Sequence, residues 1–257
     1  MSQPPSIAAE LSIDQLLLHG FDLLQHLSTF LEVDPHDLKQ RLPSSSSDLA
    51  ALHPGAFDPL TVETFYEETV GDGHLLELAA WHLSSAAYIA DTLRLQAQFA
   101  RGHVLDFGGG IGTHALAAAA LGAVEHVWFV DLNPRNRAFV SWRAERLGLA
   151  DRLSCHRDLS DPALPRAFDT IVCLDVLEHL KDPAAQLKVF HNRLHHDGHA
   201  LLNWYFFRGF AGEYPFHLDD PAQVEQFFRT LQSHFLEVFH PWLITTRAYR
   251  PMPGNAE

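Results

Sequence analysis

Apolar and polar positions follow two different periods in the second half of the chain. Short apolar runs end at Asp106, Asp131 and Asp175, and after each run apolar residues recur at the spacing of a helix face. Continuous apolar runs of this length are typical of parallel strands that are covered on both faces. Strands alternating with helices predict an α/β fold whose sheet is mostly parallel and doubly wound, with helices on both sides.

The first hundred residues show helical periodicity instead. Ser12 is placed to cap a helix whose apolar positions recur from Ile13 to Leu31, and Pro35 predicts a second, short helix. Residues 1–42 are therefore a predicted N-terminal helical cap, residues 43–60 a Ser- and Pro-rich linker, and residues 61–257 the main domain. Two interpretations of the cap stay open: a lid over the substrate, or a packing or dimerisation element that would make a homodimer.

Residues 61–99 lead into the first strand. Their helical periodicity is broken at 71–73, where Gly, Asp and Gly follow one another, so we expect a helix from His74 to about Phe99. Four aromatic residues here are candidates for the wall of a binding site, although aromatic residues at helical spacing more often belong to a core: Phe65, Tyr66, Trp81 and Tyr88.

Length, charge and cysteine content limit the class of protein and the partners that fit this sequence. With 257 residues the chain suits one α/β domain with an extension, and its formal charge of −14 repels phosphate backbones, so a nucleic-acid partner is not expected. Cys155 and Cys173 form no C-x-x-C pair and are expected to be reduced core residues. The N-terminal residues lack the pattern of a secretory signal, and no apolar run is long enough to cross a membrane. We therefore expect a cytoplasmic protein without membrane insertion.

Three glycines at alternate positions follow Asp106: Gly108, Gly110 and Gly112. Glycine permits positive φ and lets a ligand approach the backbone closely, and the helix that follows offers free N–H groups. Asp131, after the second strand, is placed to accept hydrogen bonds from a ribose diol. The spacing D-x-G-x-G-x-G differs from the G-x-G-x-x-G of dinucleotide enzymes and resembles motif I of the class I S-adenosylmethionine (SAM) methyltransferases. An ordinary glycine turn in another α/β protein is the alternative.

This resemblance implies a Rossmann-like, seven-stranded, mostly parallel sheet and SAM as the cofactor. It implies that Asp106, Gly108 and Gly110, with the neighbouring Gly112, hold the methionine end of SAM. It further assigns the ribose to Asp131 and Leu132, and the adenine to Asp158 and Leu159, with the nearby Asp161 as an alternative to Asp158.

A second motif follows the apolar run 168–174, which ends in Asp175 and is followed by Glu178 and His179. The carboxyl end of a parallel strand is where open α/β sheets bind ligands. The stretch resembles the fourth motif of small-molecule and quinone methyltransferases, which implies that Asp175 contacts the cofactor. His179 is the best candidate for a general base, because imidazole has a pKa near ambient pH, and His217 on the aromatic-rich loop after the fifth strand is the second candidate.

The same cluster resembles the E-x-x-E-H metal site of ubiquinone O-methyltransferases and small-RNA 3′-end methyltransferases, with Asp in place of the first Glu. That resemblance implies a divalent ion held by Asp175, Glu178 and His179, with His217 as a fourth ligand. In the metal-free alternative, which we prefer, the histidine caps the following turn or contacts the cofactor.

The leading functional hypothesis is a SAM-dependent methyltransferase that acts on the oxygen or nitrogen of a small organic acceptor and produces S-adenosylhomocysteine. Two alternatives stay open. One is a non-catalytic protein that senses SAM or S-adenosylhomocysteine or uses the fold as a scaffold. The other is a metal-dependent RNA 3′-end methyltransferase, which the cluster after the fourth strand permits and the acidic balance opposes.

Overall fold

The computed structural model describes residues 11–52, 61–210, 214, 216–241 and 245–253. Its strands are β1 (Gly102–Phe107), β2 (Val124–Val130), β3 (Leu153–His156), β4 (Phe168–Cys173), β5 (Leu194–Leu202), β6 (Phe235–Val238) and β7 (Arg247–Pro251). They form one sheet in the order β3-β2-β1-β4-β5-β7-β6. β1 to β5 pair in parallel, whereas β7 is antiparallel to β5 and to β6. The predicted seven-stranded, mostly parallel sheet is confirmed.

The α-helices of the described residues are α1 (Ile13–His19), α2 (Leu23–Leu31), α3 (Pro35–Arg41), α4 (Ser45–Ala51), α5 (Val62–Thr64), α6 (Gly71–Ser84), α7 (Ala86–Phe99), α8 (Thr113–Ala120), α9 (Pro134–Arg146), α10 (Pro183–Arg193) and α11 (Pro221–His234). Short 3₁₀ turns lie at Leu42–Ser44, Ala150–Arg152 and Leu177–His179, and one π-helical turn lies at Phe65–Thr69. Within the part of the chain that the structure describes, no helix combines the length and the apolarity needed to span a membrane.

Local sequence explains where three of the helices that connect the strands begin, α9, α10 and α11. Asn133, Asp182 and Asp220 each cap a helix by accepting a hydrogen bond from a backbone amide two or three residues further on. Each cap is followed by a proline, whose missing N–H costs nothing at the first helical position. These caps place the loops that precede them at the carboxyl ends of the strands.

Two apolar layers sandwich the sheet, which explains the continuous apolar runs. Val104 belongs to the cluster beneath α7, α8 and α9, whereas its neighbour Leu105 belongs to the cluster beneath α10 and α11. Phe129 and Val130 of β2 divide between the two layers in the same way. Successive strand residues point to opposite faces, so both faces must be apolar when both are covered.

The N-terminal helices pack on α6, α7 and α9, so the predicted cap shares its core with the main domain. Leu27 and Leu38 pack against Leu75 of α6 and Phe139 of α9. The single helix predicted over 13–31 is broken, because Gly20 ends α1 in the left-handed region and the next two residues also have positive φ. The buried guanidinium of Arg143 binds the carbonyl oxygen atoms freed at this break, with Nη2 2.9 Å from the Phe21 oxygen.

Two further local predictions are corrected. The first part of the predicted linker is helical, because Ser45 and Leu49 are buried and Leu49 packs with Phe65; residues 53–60 lie outside the described residues. α6 already begins at Gly71, and the break before α7 falls instead at Ser85.

Gly198, whose His-Asp-Gly context predicts a turn that ends α10, lies instead inside a strand. β5 starts at Leu194, directly after α10, and continues through Gly198 with a register irregularity against β4. A Cβ on Gly198 would lie 2.8 Å from the Asp169 carbonyl oxygen, so glycine permits this close strand contact.

Candidate active site

The glycine turn after β1 is held in a conformation that other residues would not tolerate. Gly108, Gly110 and Gly112 have φ values of 70°, 57° and 74°. A Cβ would lie 2.5 Å from Val176 Cγ2 at Gly108 and 2.5 Å from Val140 Cγ2 at Gly112. The turn therefore needs glycine for its backbone and for its close packing, and it leads directly into the N-terminus of α8.

Asp131 lies just beyond β2 and fastens the glycine turn to the start of α9. Its Oδ2 accepts a hydrogen bond from the Gly110 amide at 2.9 Å. Its Oδ1 accepts from the Asn133 amide at 2.8 Å and from Asn136 Nδ2 at 3.2 Å. The structure thus brings together the first and second motifs that the sequence predicted to act jointly.

Asp106 and Asp131 are both buried, with 3% and 7% of their surface exposed. Burial and the nearby Asp131 raise the pKa of Asp106 to about 7, and burial raises the pKa of Asp131 to about 6 against the hydrogen bonds it accepts. Asp106 Oδ2 has no hydrogen-bond partner among the described residues. Neighbouring buried carboxyls with an unused oxygen form a site that favours a cationic ligand group.

Asp158 and Leu159, predicted at the adenine, follow β3. Asp158 Oδ1 accepts from the Ser160 amide at 2.8 Å and from its hydroxyl at 2.5 Å, and these bonds lower the Asp158 pKa. Leu159 packs against the apolar layer beneath α10 and α11. Leu132 offers its carbonyl oxygen to Arg137 Nη1 at 2.7 Å.

The second cluster lies after β4, where Glu178, His179 and His217 each place one ligand-type atom within 4.8 Å of the others. The rings of His179 and His217 meet edge to face, with centroids 4.8 Å apart. Glu178 is 1% exposed; its Oε1 accepts from the Tyr205 amide at 3.1 Å, and its Oε2 has no partner among the described residues. The sequence-predicted proximity of His179 to His217 is therefore found.

Backbone carbonyls fix the tautomers of both histidines. His179 Nδ1 lies 3.1 Å from the Phe216 oxygen, and His217 Nδ1 lies 3.2 Å from the Phe207 oxygen. A carbonyl oxygen only accepts, so each Nδ1 carries the proton and each Nε2 keeps its lone pair. Burial and the nearby His217 lower the pKa of His179 to about 3, whereas burial and Asp175 raise the pKa of Glu178 to about 8.

Asp175 is not part of this group, which corrects the predicted set of four neighbouring ligands. Its φ of 55° lies in the left-handed region, where non-glycine residues are uncommon. Its amide donates to Asn203 Oδ1 at 2.5 Å, and its Oδ1 accepts from Asn203 Nδ2 at 2.9 Å. The Asp175 side chain therefore hydrogen-bonds to Asn203 at the end of β5 and does not join the histidines.

Several site residues come from parts of the chain that the motifs did not reach. Tyr66 places its hydroxyl 3.4 Å from His179 Nδ1, and His74 Nδ1 lies 3.1 Å from Asn136 Nδ2. Tyr66 was already a candidate for the wall of the site, but no spacing signalled His74. Asn203 could have been found from the sequence, because it is a polar residue at the end of an otherwise apolar strand.

The sheet order with one reversed strand, the glycine turn after β1 and the acid after β2 together define the Rossmann-like fold of class I SAM methyltransferases. A solved structure described as a DhpI-SAM-HEP complex superposes with a TM-score of 0.51 at 17% identity, over 76% of this chain and 98% of that one. The PH0226 protein from Pyrococcus horikoshii OT3 gives a TM-score of 0.50 at 16% identity, over 65% of this chain and 90% of that one. These likenesses support the fold.

A family model described as a methyltransferase domain matches residues 80–237. Because the match covers more than half of the chain, this protein belongs to that methyltransferase family. An uncharacterized protein, syc1184_c, from Synechococcus sp. is 35% identical over 116 residues, which make up 44% of this chain. The chain spans about a quarter of that relative's length, 27%.

Proposed function

We propose that this chain transfers the methyl group of SAM to an oxygen or nitrogen atom of a small organic acceptor and releases S-adenosylhomocysteine. The observation that carries the proposal is the buried carboxyl pair beside the glycine turn, with Asp106 Oδ2 left without a partner among the described residues. A ligand that bears an ammonium group and a ribose supplies what these carboxyls lack.

The residues at the ends of β1 and β2 fit SAM in chemical detail. Asp106 Oδ2 would accept from the ammonium of the methionine moiety, and Gly108 and Gly110 would let that moiety approach the backbone. Asp131 Oδ2 accepts one bond, from Gly110, and a carboxylate oxygen has two lone pairs, so it retains an acceptor site for a ribose hydroxyl. Asp158 and Leu159 stay the proposed adenine contacts.

The cluster after β4 fits the acceptor side of the reaction. SAM supplies an already activated sulfonium methyl, so the protein must align the acceptor and remove its proton. The Nε2 lone pair of His179, with His217 beside it, is suited to accept that proton. An imidazolium beside Glu178 would lower the raised pKa of that carboxyl, and the ionised carboxylate would then stabilise the imidazolium, because the three groups lie within 4.8 Å of one another.

A small acceptor agrees better with this site than a nucleic acid. Residues 65–78 pack over the strand ends and bring Tyr66 to His179, which narrows the access. The charge of −14 also opposes a phosphate backbone.

The test is methyl transfer itself. Purified protein is incubated with SAM labelled on its methyl group and with separate panels of phenols, amines and RNA, and S-adenosylhomocysteine formation is measured. Product formed with a phenol or an amine supports the proposal. Tight binding of S-adenosylhomocysteine with no transfer to any panel would favour the non-catalytic sensor, and transfer to RNA alone would contradict the small acceptor.

The second cluster also favours a metal-assisted version of the same reaction. Two histidines whose Nδ1 groups face backbone carbonyls, with a buried carboxylate oxygen that lacks a partner among the described residues, form a ligand set typical of divalent metals. Glu178, His179 and His217 would hold the ion, and a bound metal would supply a Lewis acid for an acceptor hydroxyl. Metal analysis of the purified protein, followed by activity with a chelator, separates this version from the metal-free one.

A further inference from the structure

Residues 61–78, called the strap below, cross the carboxyl ends of all five parallel strands. After β1, Leu78 packs on Gly110; after β2, the Gly71 carbonyl accepts from Asn133 Nδ2 at 3.0 Å. The remaining contacts join the strap to the loops after β3, β4 and β5, through the pairs Glu67–Arg157, Tyr66–His179 and Phe65–Phe216. The strap is thus fastened across the whole width of the proposed site.

Three contacts of the strap reach residues that the proposed function gives to SAM, one directly and two through an intervening side chain. Leu78 Cδ1 lies 2.7 Å from where a Cβ on Gly110 would be, so it packs closely on the proposed methionine-binding turn. Asn136 binds both His74 of the strap and Asp131, the proposed ribose ligand. Arg157 likewise binds both Glu67 and Asp158, the proposed adenine ligand. The position of the strap is therefore coupled to the groups that the proposed function assigns to the cofactor.

The ion pairs that hold the strap are individually weak. Glu67 accepts two hydrogen bonds from the Arg157 guanidinium, 2.5 and 2.6 Å long, but the arginine side chain is 50% exposed. An exposed ion pair contributes little net stability. The Asp72–Arg135 pair has the same exposed character, with side chains 47% and 42% exposed.

The backbone of the strap carries two features suited to bending. Residues 65–69 form a π-helical turn, a rare conformation that is frequent at functional sites. Gly71 follows with φ of +46°, and no atom of the described residues lies within 4 Å of its ideal Cβ position, so these neighbours leave room for rotation. Residues 61–70 can therefore open about this point while Leu75 stays in the core with Leu27 and Leu38.

We propose that the strap is a gate that opens to admit SAM and closes over it, with the Glu67–Arg157 pair as its latch. The inference rests on the SAM site proposed above. Closure brings the Tyr66 hydroxyl to His179 and shields the strand ends from water, which is the usual role of a lid over a transfer reaction.

The test compares Glu67→Gln with Glu225→Gln. Glu225 makes a similar exposed ion pair with Arg229 on α11, 2.6 Å long, so it controls for the loss of a surface charge pair. The association and dissociation rates of S-adenosylhomocysteine are measured by displacement of the labelled compound. We expect Glu67→Gln to raise both rates by about two- to five-fold, the size that an exposed ion pair supports, and Glu225→Gln to leave them unchanged. Equal rates in all three proteins would overturn the gate.

A charge exchange and a ligand-free measurement complete the test. Glu67→Arg combined with Arg157→Glu should return both rates toward those of the wild type, and failure to do so would remove the latch. In the ligand-free protein, amide hydrogen exchange over 62–78 should be faster in Glu67→Gln than in the wild type, with β1 and β4 unaffected. If the wild type binds no S-adenosylhomocysteine, the proposed function fails, and unchanged exchange in this segment then also overturns the gate.

Discussion

Asn203 and Asp175 hold each other through two reciprocal hydrogen bonds at the point where β4 and β5 end. The Asp175 amide donates to Asn203 Oδ1 and Asn203 Nδ2 donates to Asp175 Oδ1, while the same Nδ2 lies 3.0 Å from the Tyr88 hydroxyl. Asp175 keeps its unusual positive φ because the neighbouring strand supports it. This pairing sets the start of the loop that carries Glu178 and His179.

Asn203→Ala should therefore destabilise the protein by about 1–3 kcal/mol, because several buried hydrogen bonds lose one partner. Activity should fall more than stability explains, since the loop with His179 loses its support. Urea unfolding and steady-state kinetics measure the two effects. The matched control is Asn192→Ala on exposed α10 surface, which should change neither. An Asn203→Ala protein with wild-type stability would contradict this account.

Arg143→Met should lower the free energy of unfolding by about 2–4 kcal/mol. The substitution leaves buried carbonyl groups at the α1–α2 break and in the glycine turn without a hydrogen-bond donor. Arg143 is fully buried, and its Nη1 lies 3.3 Å from the Ile111 oxygen while Nη2 lies 2.9 Å from the Phe21 oxygen. Thermal and urea unfolding report the loss. Arg229→Met, on exposed α11 surface, should stay close to the wild type. Equal stability of the two variants would show that Arg143 does not join the N-terminal helices to the turn.

SAM affinity should rise with pH between about 5.5 and 8. The pKa values of Asp106 and Asp131 are raised to about 7 and about 6; ionised Asp106 is the form that accepts from the cationic ammonium, and ionised Asp131 is the stronger acceptor for the ribose hydroxyl. Below these pKa values binding must release a proton, so affinity should fall by up to about tenfold per pH unit for each proton released. Calorimetry at several pH values measures this dependence. In Asp106→Asn the affinity should depend less on pH. An unchanged slope in that variant would show that another group causes the pH dependence.

The two versions of the reaction differ at Glu178. If His179 is a base without a metal, a chelator should have no effect, and Glu178→Gln should be milder than His179→Ala. If an ion is held by Glu178, His179 and His217, both variants should be severely impaired, and a chelator should abolish activity until the metal is returned. Activity assays before and after chelation, with metal content measured in parallel, distinguish the two outcomes.

Much of the fold could be predicted because local signals agree with it. The apolar runs before Asp106, Asp131 and Asp175 end as strands should, and Pro134, Pro183 and Pro221 each start a helix. The glycine turn was predictable for the same reason, since its function depends on residues adjacent in sequence.

The rest depends on contacts between distant residues. Nothing near Ser45 signals that its helix will be buried against α6, and nothing near Glu67 signals Arg157, ninety positions away. Asp175 was expected among metal ligands because of its spacing, yet its partner Asn203 lies on another strand and decides its orientation. Two interpretations of the cap were open, a lid or a packing element; its described helices pack on α6, α7 and α9, and the strap crosses the strand ends.

The central claim is that the strand ends bind SAM, and it is tested most directly by titration calorimetry of S-adenosylhomocysteine with the wild type and with Asp131→Ala. The account predicts one binding site in the wild type and an affinity weakened by about 1.5–3 kcal/mol in the variant, the cost of losing hydrogen bonds to a charged group. Asp151→Ala, which alters an exposed carboxylate in the turn before β3, should bind as the wild type does. No binding by the wild type, or equal affinity in Asp131→Ala, would contradict the account.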